Sequence, residues 1–199
     1  MIRDAISQGE FGANTYLWEN DGAISIIDIG DNPTNTLNRI KELGLALKST
    51  FLTHNHLDHI KGLGIELFEK PVYMHEYDLK NLTADYLDYS YEMYGYALFK
   101  NRKEYGDFRD FLLTNKKNIT PVINGEKIEN LRVMLTSGHT KGSISLISDS
   151  EKLIFTGDTM FYGGYGRTDL RSGSSKDLET SIKKLNSLIN NGYEIYPGH

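Results

Sequence analysis

At 199 residues and 39% hydrophobic content, the chain is long enough to bury a layered core in one globular domain. A net charge of -5 and a pI near 5.7 argue against nucleic acid or an anionic membrane surface as the main partner. There are no cysteines, so disulfides and thiolate metal sites are excluded; no apolar run approaches a bilayer span or a signal peptide, and a cytoplasmic protein is expected.

Residues 15–19 and 23–28 read as strands separated by the turn signal Asn20-Asp21-Gly22. Ile29-Gly30-Asp31-Asn32-Pro33 leads into a helix, with Asn32 as cap, Pro33 in the first turn and Leu37, Ile40, Leu43 and Leu45 on its apolar face. The next strand, 48–53, runs into His54-Asn55-His56-Leu57-Asp58-His59. Three imidazoles and a carboxylate so close together have the character of a metal site, since these ligands suit zinc, iron or manganese. A loop at the C-terminal end of a strand is where layered α/β folds form binding sites.

A short helix is expected near 61–69 and a strand at 72–74. Residues 77–118 then change character, with seven tyrosines among charged residues and loosely amphipathic spacing of Leu79, Leu82, Leu87, Met93, Leu98 and Phe99. Lacking the Pro/Gly/Ser bias of a spacer, this segment reads as a helical insertion, either a lid or a packed cover. Strands are expected at 127–129, 131–135, 143–147 and 152–155, a last helix at 177–191 and a last strand at 194–196. Both halves thus read as strands followed by a helix, compatible with a two-sheet sandwich flanked by helices.

His139 follows the strand at 131–135, Asp158 follows 152–155 and His199 follows 194–196, each directly preceded by a glycine that permits close backbone approach. Three separate strands thus deliver His, Asp and His to the edge where the cluster begins. His75, outside this pattern, reads as a structural or helix-start residue. Asp28 suits either a turn or a hydrogen bond to a ligand from behind, and Arg167 with Asp169 suits a local ion pair.

The sequence His-x-His-x-Asp-His, then Gly-His, Gly-Asp-Thr and Pro-Gly-His, resembles the metallo-β-lactamase superfamily, closest to its glyoxalase II-like (hydroxyacylglutathione hydrolase-like) members. The resemblance runs from Asn14 to His199. It implies an α+β, αββα four-layer sandwich of two mixed sheets over residues 1–199, with the metal site at one edge and the insertion at about 77–118. It also implies two divalent ions, zinc by ligand chemistry with iron or manganese as alternatives: His54, His56 and His139 on one, Asp58, His59 and His199 on the other, and Asp158 bridging. Asp58 and Asp158 are the expected catalytic carboxylates, and a metal-bridging hydroxide would attack a small thioester or ester carbonyl. Lys61, Arg167 and Tyr162 are the candidate substrate contacts.

The segment Gly166-Arg167-Thr168-Asp169 resembles one found in small bacterial glyoxalase II-like proteins and also in persulfide dioxygenases. A mononuclear iron persulfide dioxygenase using His54, His139 and Asp158 is therefore an alternative, as are a lactonase and a non-catalytic metal-binding protein. The chain departs from the pattern at Ser137, where proline is usual, and at Lys61, where glycine is usual. The C-terminal helical domain that binds glutathione in full-length glyoxalase II is expected to be absent, because the sequence stops at His199.

Overall fold

A computed structural model describes residues 1–7, 12–30 and 32–199; Asp31, in the loop expected to enter the first helix, lies outside them. Six strands form the first sheet in sequential order: β1 (Ile2–Ile6), β2 (Thr15–Asn20), β3 (Ala23–Ile27), β4 (Ala46–Leu52), β5 (Val72–His75) and β6 (Ile119–Val122). The first three pair antiparallel and the last four parallel. The second sheet contains β7 (Lys127–Ile128), β8 (Leu131–Leu135), β9 (Ile144–Ser148), β10 (Leu153–Gly157) and β13 (Glu194–Pro197), ordered β13-β10-β9-β8-β7. A small hairpin, β11 (Met160–Phe161) with β12 (Gly164–Tyr165), stands apart.

Alternation along the strands makes the layers. Tyr16 and Trp18 of β2 face inward and meet Phe155, Val133 and Leu146 of the second sheet, whereas Leu17 between them faces the opposite way. That outer face, with Ile24, Ile26, Leu52, Val72 and Met74, is covered by α1 (Pro33–Glu42) and by the segment after β5. The second sheet turns Ile147, Ile154 and Ile195 outward onto Leu185 of α6 (Ser175–Ile189). Helix, sheet, sheet and helix thus stack as an αββα sandwich. Each fully buried aliphatic of this kind contributes about 1.5–3 kcal/mol.

Asn32 caps α1 by accepting from Asn35 N, with Pro33 at the first position. α6 begins two residues earlier than expected, because Ser174 supplies the cap through its hydroxyl. The helix expected near 61–69 is not formed. A single turn, α2 (Leu57–Ile60), lies inside the histidine motif, and one 3-10 turn follows at Leu67–Glu69. Gly62 packs against the backbone of Gly30 and the side chain of Ile29, leaving no room for a side chain there.

The tyrosine-rich segment consists of α3 (Glu76–Asn81), α4 (Ala84–Met93) and α5 (Arg102–Asn115), with 3-10 turns between and after them. Leu87, Tyr91, Phe99, Tyr105 and Leu112 pack into the core under the first sheet, and Tyr86 is buried as well. His75 caps α3 by accepting from Tyr77 N, the structural role its position suggested. The sequence reading missed β1 and β6. Both are edge strands, and β6 carries Pro121, which an edge tolerates and a central strand does not. Among the described residues no helix is long and apolar enough to cross a membrane.

Candidate metal centre

The C-terminal ends of β3, β4, β8, β10 and β13 gather at one edge of the sandwich, so the residues that follow them meet. Thr53 links the sheets there, its carbonyl accepting from Ile144 N at 2.9 Å. Gly157, with φ of 49°, lets β10 come against Thr53; a Cβ at this position would stand 2.6 Å from Thr53 Oγ1. Asp158 then turns into the same space as His54 and His56.

All seven expected ligands are brought together, in three overlapping groups. His54, His56 and His139 have donor atoms within 4.8 Å of one another, as do Asp58, His59 and His199, and as do His54, His59 and Asp158. Asp158 touches both sides: Oδ1 lies 3.2 Å from His59 Nε2, and Oδ2 lies 3.5 Å from both His139 Nε2 and His199 Nε2. His199 Nε2 is 3.1 Å from Asp58 Oδ2.

The neighbours behind the rings fix which nitrogen carries the proton. His139 Nδ1 donates to the carbonyl of Arg167 at 2.8 Å, and His59 Nδ1 donates to Asp28 Oδ2 at 2.8 Å. Thr53 spends its hydroxyl proton on Asp28 Oδ2, so it accepts from His54 Nδ1 at 3.1 Å. When these rings are neutral, Nε2 of each is a lone pair turned to the cluster, that of His139 accepting from His56 Nδ1 at 2.8 Å. His54 Nε2, His59 Nε2 and Asp158 Oδ1 are buried without a hydrogen-bond partner among the described residues. His59 Nε2 and Asp158 Oδ1 face each other without the alignment of a hydrogen bond. Leaving such groups unpaired costs about 1–3 kcal/mol each. Divalent cations satisfy such atoms, and the nitrogen and oxygen donor set suits them.

Electrostatics divide the cluster. Burial, and then the neighbouring imidazoles, push His54 well below the usual histidine range; His56 and His139 are lowered for the same first reason. Burial acts the same way on His59, but Asp158, Asp28 and Asp58 outweigh it and hold that ring well above its ordinary value. Burial works to raise Asp58 and Asp158, yet the imidazoles beside them keep both carboxylates low and ionised.

A cavity of about 160 Å³ opens onto the cluster, lined by His56, Asp58, Tyr94, His139, Asp158, Arg167 and Leu170. Tyr94 comes from the end of α4; its hydroxyl accepts from Leu57 N at 3.2 Å and its ring lies edge-on to His56. The tyrosine-rich segment is thus both a packed cover and a wall of this cavity. Arg167 lines it while holding Asp169 through two hydrogen bonds of 2.7 and 2.6 Å. The other two candidate substrate contacts are not in this wall. Lys61 donates to the carbonyl of Leu98 and lies over the Phe99 ring at 4.9 Å, tying α2 to the insertion. Tyr162 sits on the hairpin, 71% exposed, and donates to the carbonyl of Ile195.

Sequence reasoning did not single out Tyr94, Leu170, the Arg167 carbonyl or Asp78. A tyrosine in a run of tyrosines and a main-chain oxygen give no local signal. Asp28 could be found, and was, from its place at a strand end before Gly30.

The metallo-beta-lactamase superfamily model matches residues 8–199. A probable metallo-hydrolase of Streptococcus pyogenes serotype M6 is 31% identical over 193 residues, covering 94% of this chain and 79% of the relative. The hydroxyacylglutathione hydrolase GloC of Haemophilus influenzae is 29% identical over 205 residues, covering 93% and 84%. Among solved structures, TTHA1623 in a di-iron-bound form superposes with a TM-score of 0.81 at 27% identity, covering 98% of this chain and 91% of that one. Ligand pattern, αββα sandwich and family match agree: the chain belongs to the metallo-beta-lactamase superfamily of metal-dependent hydrolases.

Proposed function

We propose that this protein is a dinuclear metal-dependent hydrolase acting on a small thioester or ester, in the manner of hydroxyacylglutathione hydrolases. The observation that carries the reading is the pair of donor trios joined by Asp158, with three buried donor atoms unpaired among the described residues. His54, His56 and His139 would hold one ion; Asp58, His59 and His199 would hold the other, with Asp158 between them. When bound, such ions lower the pKa of water toward about 7 and polarise a carbonyl oxygen. Zinc is the ion proposed, by ligand chemistry; iron and manganese suit the same donors, and the di-iron form of the structural neighbour supports a two-ion site.

The chain's own residues supply the rest. Asp58 is ionised at the cavity wall, where it orients a water and receives its proton. Tyr94 and Leu170 enclose the acyl group and restrict bulk water, and Arg167 offers a cation at the rim. With two divalent ions bound, the five imidazoles would ligate as neutral rings and the two carboxylates would offset only part of the ions' charge, leaving a positive cluster suited to an oxyanion formed at the attacked carbonyl. The relationship to GloC supports a thioester substrate.

Elemental analysis of the purified protein, followed by a panel of small thioesters, esters and lactones, tests the reading. Two equivalents of metal and turnover of a thioester are expected. Oxygen uptake with a persulfide, with one equivalent of iron, would replace the reading with a dioxygenase. Turnover of lactones alone would make the protein a lactonase, and no turnover across the panel a non-catalytic metal binder.

A further inference from the structure

The cluster His54, His56 and His139 has a mechanical problem. The three rings come from two loops far apart in sequence, yet their centroids lie only 4.4–4.8 Å apart. His139 Nε2 and His56 Nδ1 are 2.8 Å from each other. With His139 Nδ1 donating to the Arg167 carbonyl, His56 Nδ1 donates to His139 Nε2, a bond between the loops that is given up when that nitrogen takes an ion, and each ring lowers the proton affinity of its neighbours. The bonds behind His54 and His139 orient individual rings, but they do not tie one loop to the other.

Asp78, on the short helix α3, does so. It is fully buried. Its Oδ2 accepts from Asn55 N at 3.1 Å and from Thr140 Oγ1 at 2.7 Å, while Oδ1 accepts from Gly142 N at 2.8 Å. Its main-chain carbonyl accepts from Asn55 Nδ2 at 3.1 Å. Asn55 lies between His54 and His56, and Thr140 directly follows His139. Asn55 is held from a further side by Tyr86, whose hydroxyl donates to Asn55 Oδ1 at 2.7 Å. The loop is shaped to admit this carboxylate: a Cβ on Gly142 would stand 2.5 Å from Asp78 Oδ1.

We infer that Asp78 is a positioning residue for one metal site only: by bonding the Asn55 and Thr140 backbone loops to a single carboxylate, it sets the spacing of His54, His56 and His139 and so the affinity of the ion they hold. The second trio gains nothing from it, because His59 is oriented by Asp28 and His199 arrives from β13. Asn is a poor substitute. One of its two terminal atoms becomes a donor, and it would face either the N–H of Asn55 or that of Gly142, both of which also donate.

The inference rests on the dinuclear reading, and its test separates the two. Zinc affinity is measured by competition with a chromophoric chelator, using the full chain. Wild type should bind two zinc ions; failure to bind two overturns the dinuclear reading and the inference with it. In a His199→Ala background, where the first trio alone stays intact, Asp78→Asn should weaken zinc about 10–100-fold, the usual cost of losing a group that orients ligands. In a His139→Ala background the same change should move zinc affinity by less than about 2-fold, so that the coupling is confined to one trio. Equal losses in both backgrounds mean that Asp78 only supports the fold, and no loss in either means that it positions nothing; each overturns the inference. Thr140→Val, which removes one of the bonds to Asp78 together with the Thr140–Ser143 hydroxyl contact and leaves the carboxylate, covers the case in which Asp78→Asn does not fold. It should weaken the first site by a smaller factor, and wild-type affinity in that variant overturns the inference as well.

Discussion

Asp28 and Asp78 are two buried carboxylates standing behind one cluster, and they work differently. Asp28 bonds a ligand directly, accepting from His59 Nδ1, and takes two further bonds from Thr53 N and Thr53 Oγ1. Asp78 bonds none of the ligand side chains among the described residues; it accepts from the main chain of Asn55 and Gly142 and from the Thr140 hydroxyl, between and beside ligands. The first device orients one ring; the second holds two loops in register. The two halves of this cluster are supported from different sides, one from the end of β3 and one from α3; they meet behind the rings at Thr53, which bonds both Asp28 and His54, and at the front at Asp158.

Removing the joint breaks the comparison most severely. Asp158→Ala takes a carboxylate from both halves, and we expect zinc affinity to fall more than ~100-fold at each, beyond what an orienting residue costs. Elemental analysis after gel filtration checks this; metal content near wild type would contradict it.

The next effect concerns what Asp78 costs. Burial pushes its carboxyl up from the usual range to about 6, against the three bonds it accepts. Only well below its ordinary value of 3.8 is the carboxyl protonated in both folded and unfolded chains. As pH rises toward 6 the unfolded chain releases its proton first, so the folded state binds more protons and stability falls. By pH 7 a shift of about 2 units amounts to at most about 3 kcal/mol. Chelator-treated Asp78→Asn lacks this titration, so urea unfolding should show wild type losing up to that amount relative to the variant between pH 4 and pH 7. Parallel curves would show that Asp78 is not held ionised at a cost.

The smallest effect sharpens the other side. Asp28→Asn should weaken zinc about 10–100-fold in a His139→Ala background, where the second trio remains, and leave the first trio near wild type in a His199→Ala background. The same competition titration reads it. A larger effect on the first trio would mean that Thr53, bonded to both Asp28 and His54, couples the halves.

Much of this was legible in the sequence, and the reason is chemical. Histidine and aspartate after glycine at the ends of apolar strands are rare enough to announce themselves, and all seven converge. The sandwich was legible because its strands are buried and β-branched, whereas β1 and β6 are edge strands with weaker patterns. Asp78 was invisible: on a charged helical segment it looks like a solvated residue, and only the approach of two distant loops buries it. Lys61 and Tyr162 show the converse. Nearness to a motif in sequence suggested substrate contact, yet one side chain ties α2 to the insertion and the other ties the hairpin to the Ile195 carbonyl of β13. Arg167 forms the local pair with Asp169 that its spacing suggested and also lines the cavity, but its carbonyl, which orients His139, had no sequence signature.

The most direct test of the central claim is a zinc titration of chelator-stripped protein, followed by turnover of a small thioester at each addition. Two donor trios sharing Asp158 predict binding that ends at two equivalents, with hydrolysis reaching its full rate only as the second is filled. Saturation at one equivalent with full hydrolysis would contradict the dinuclear account.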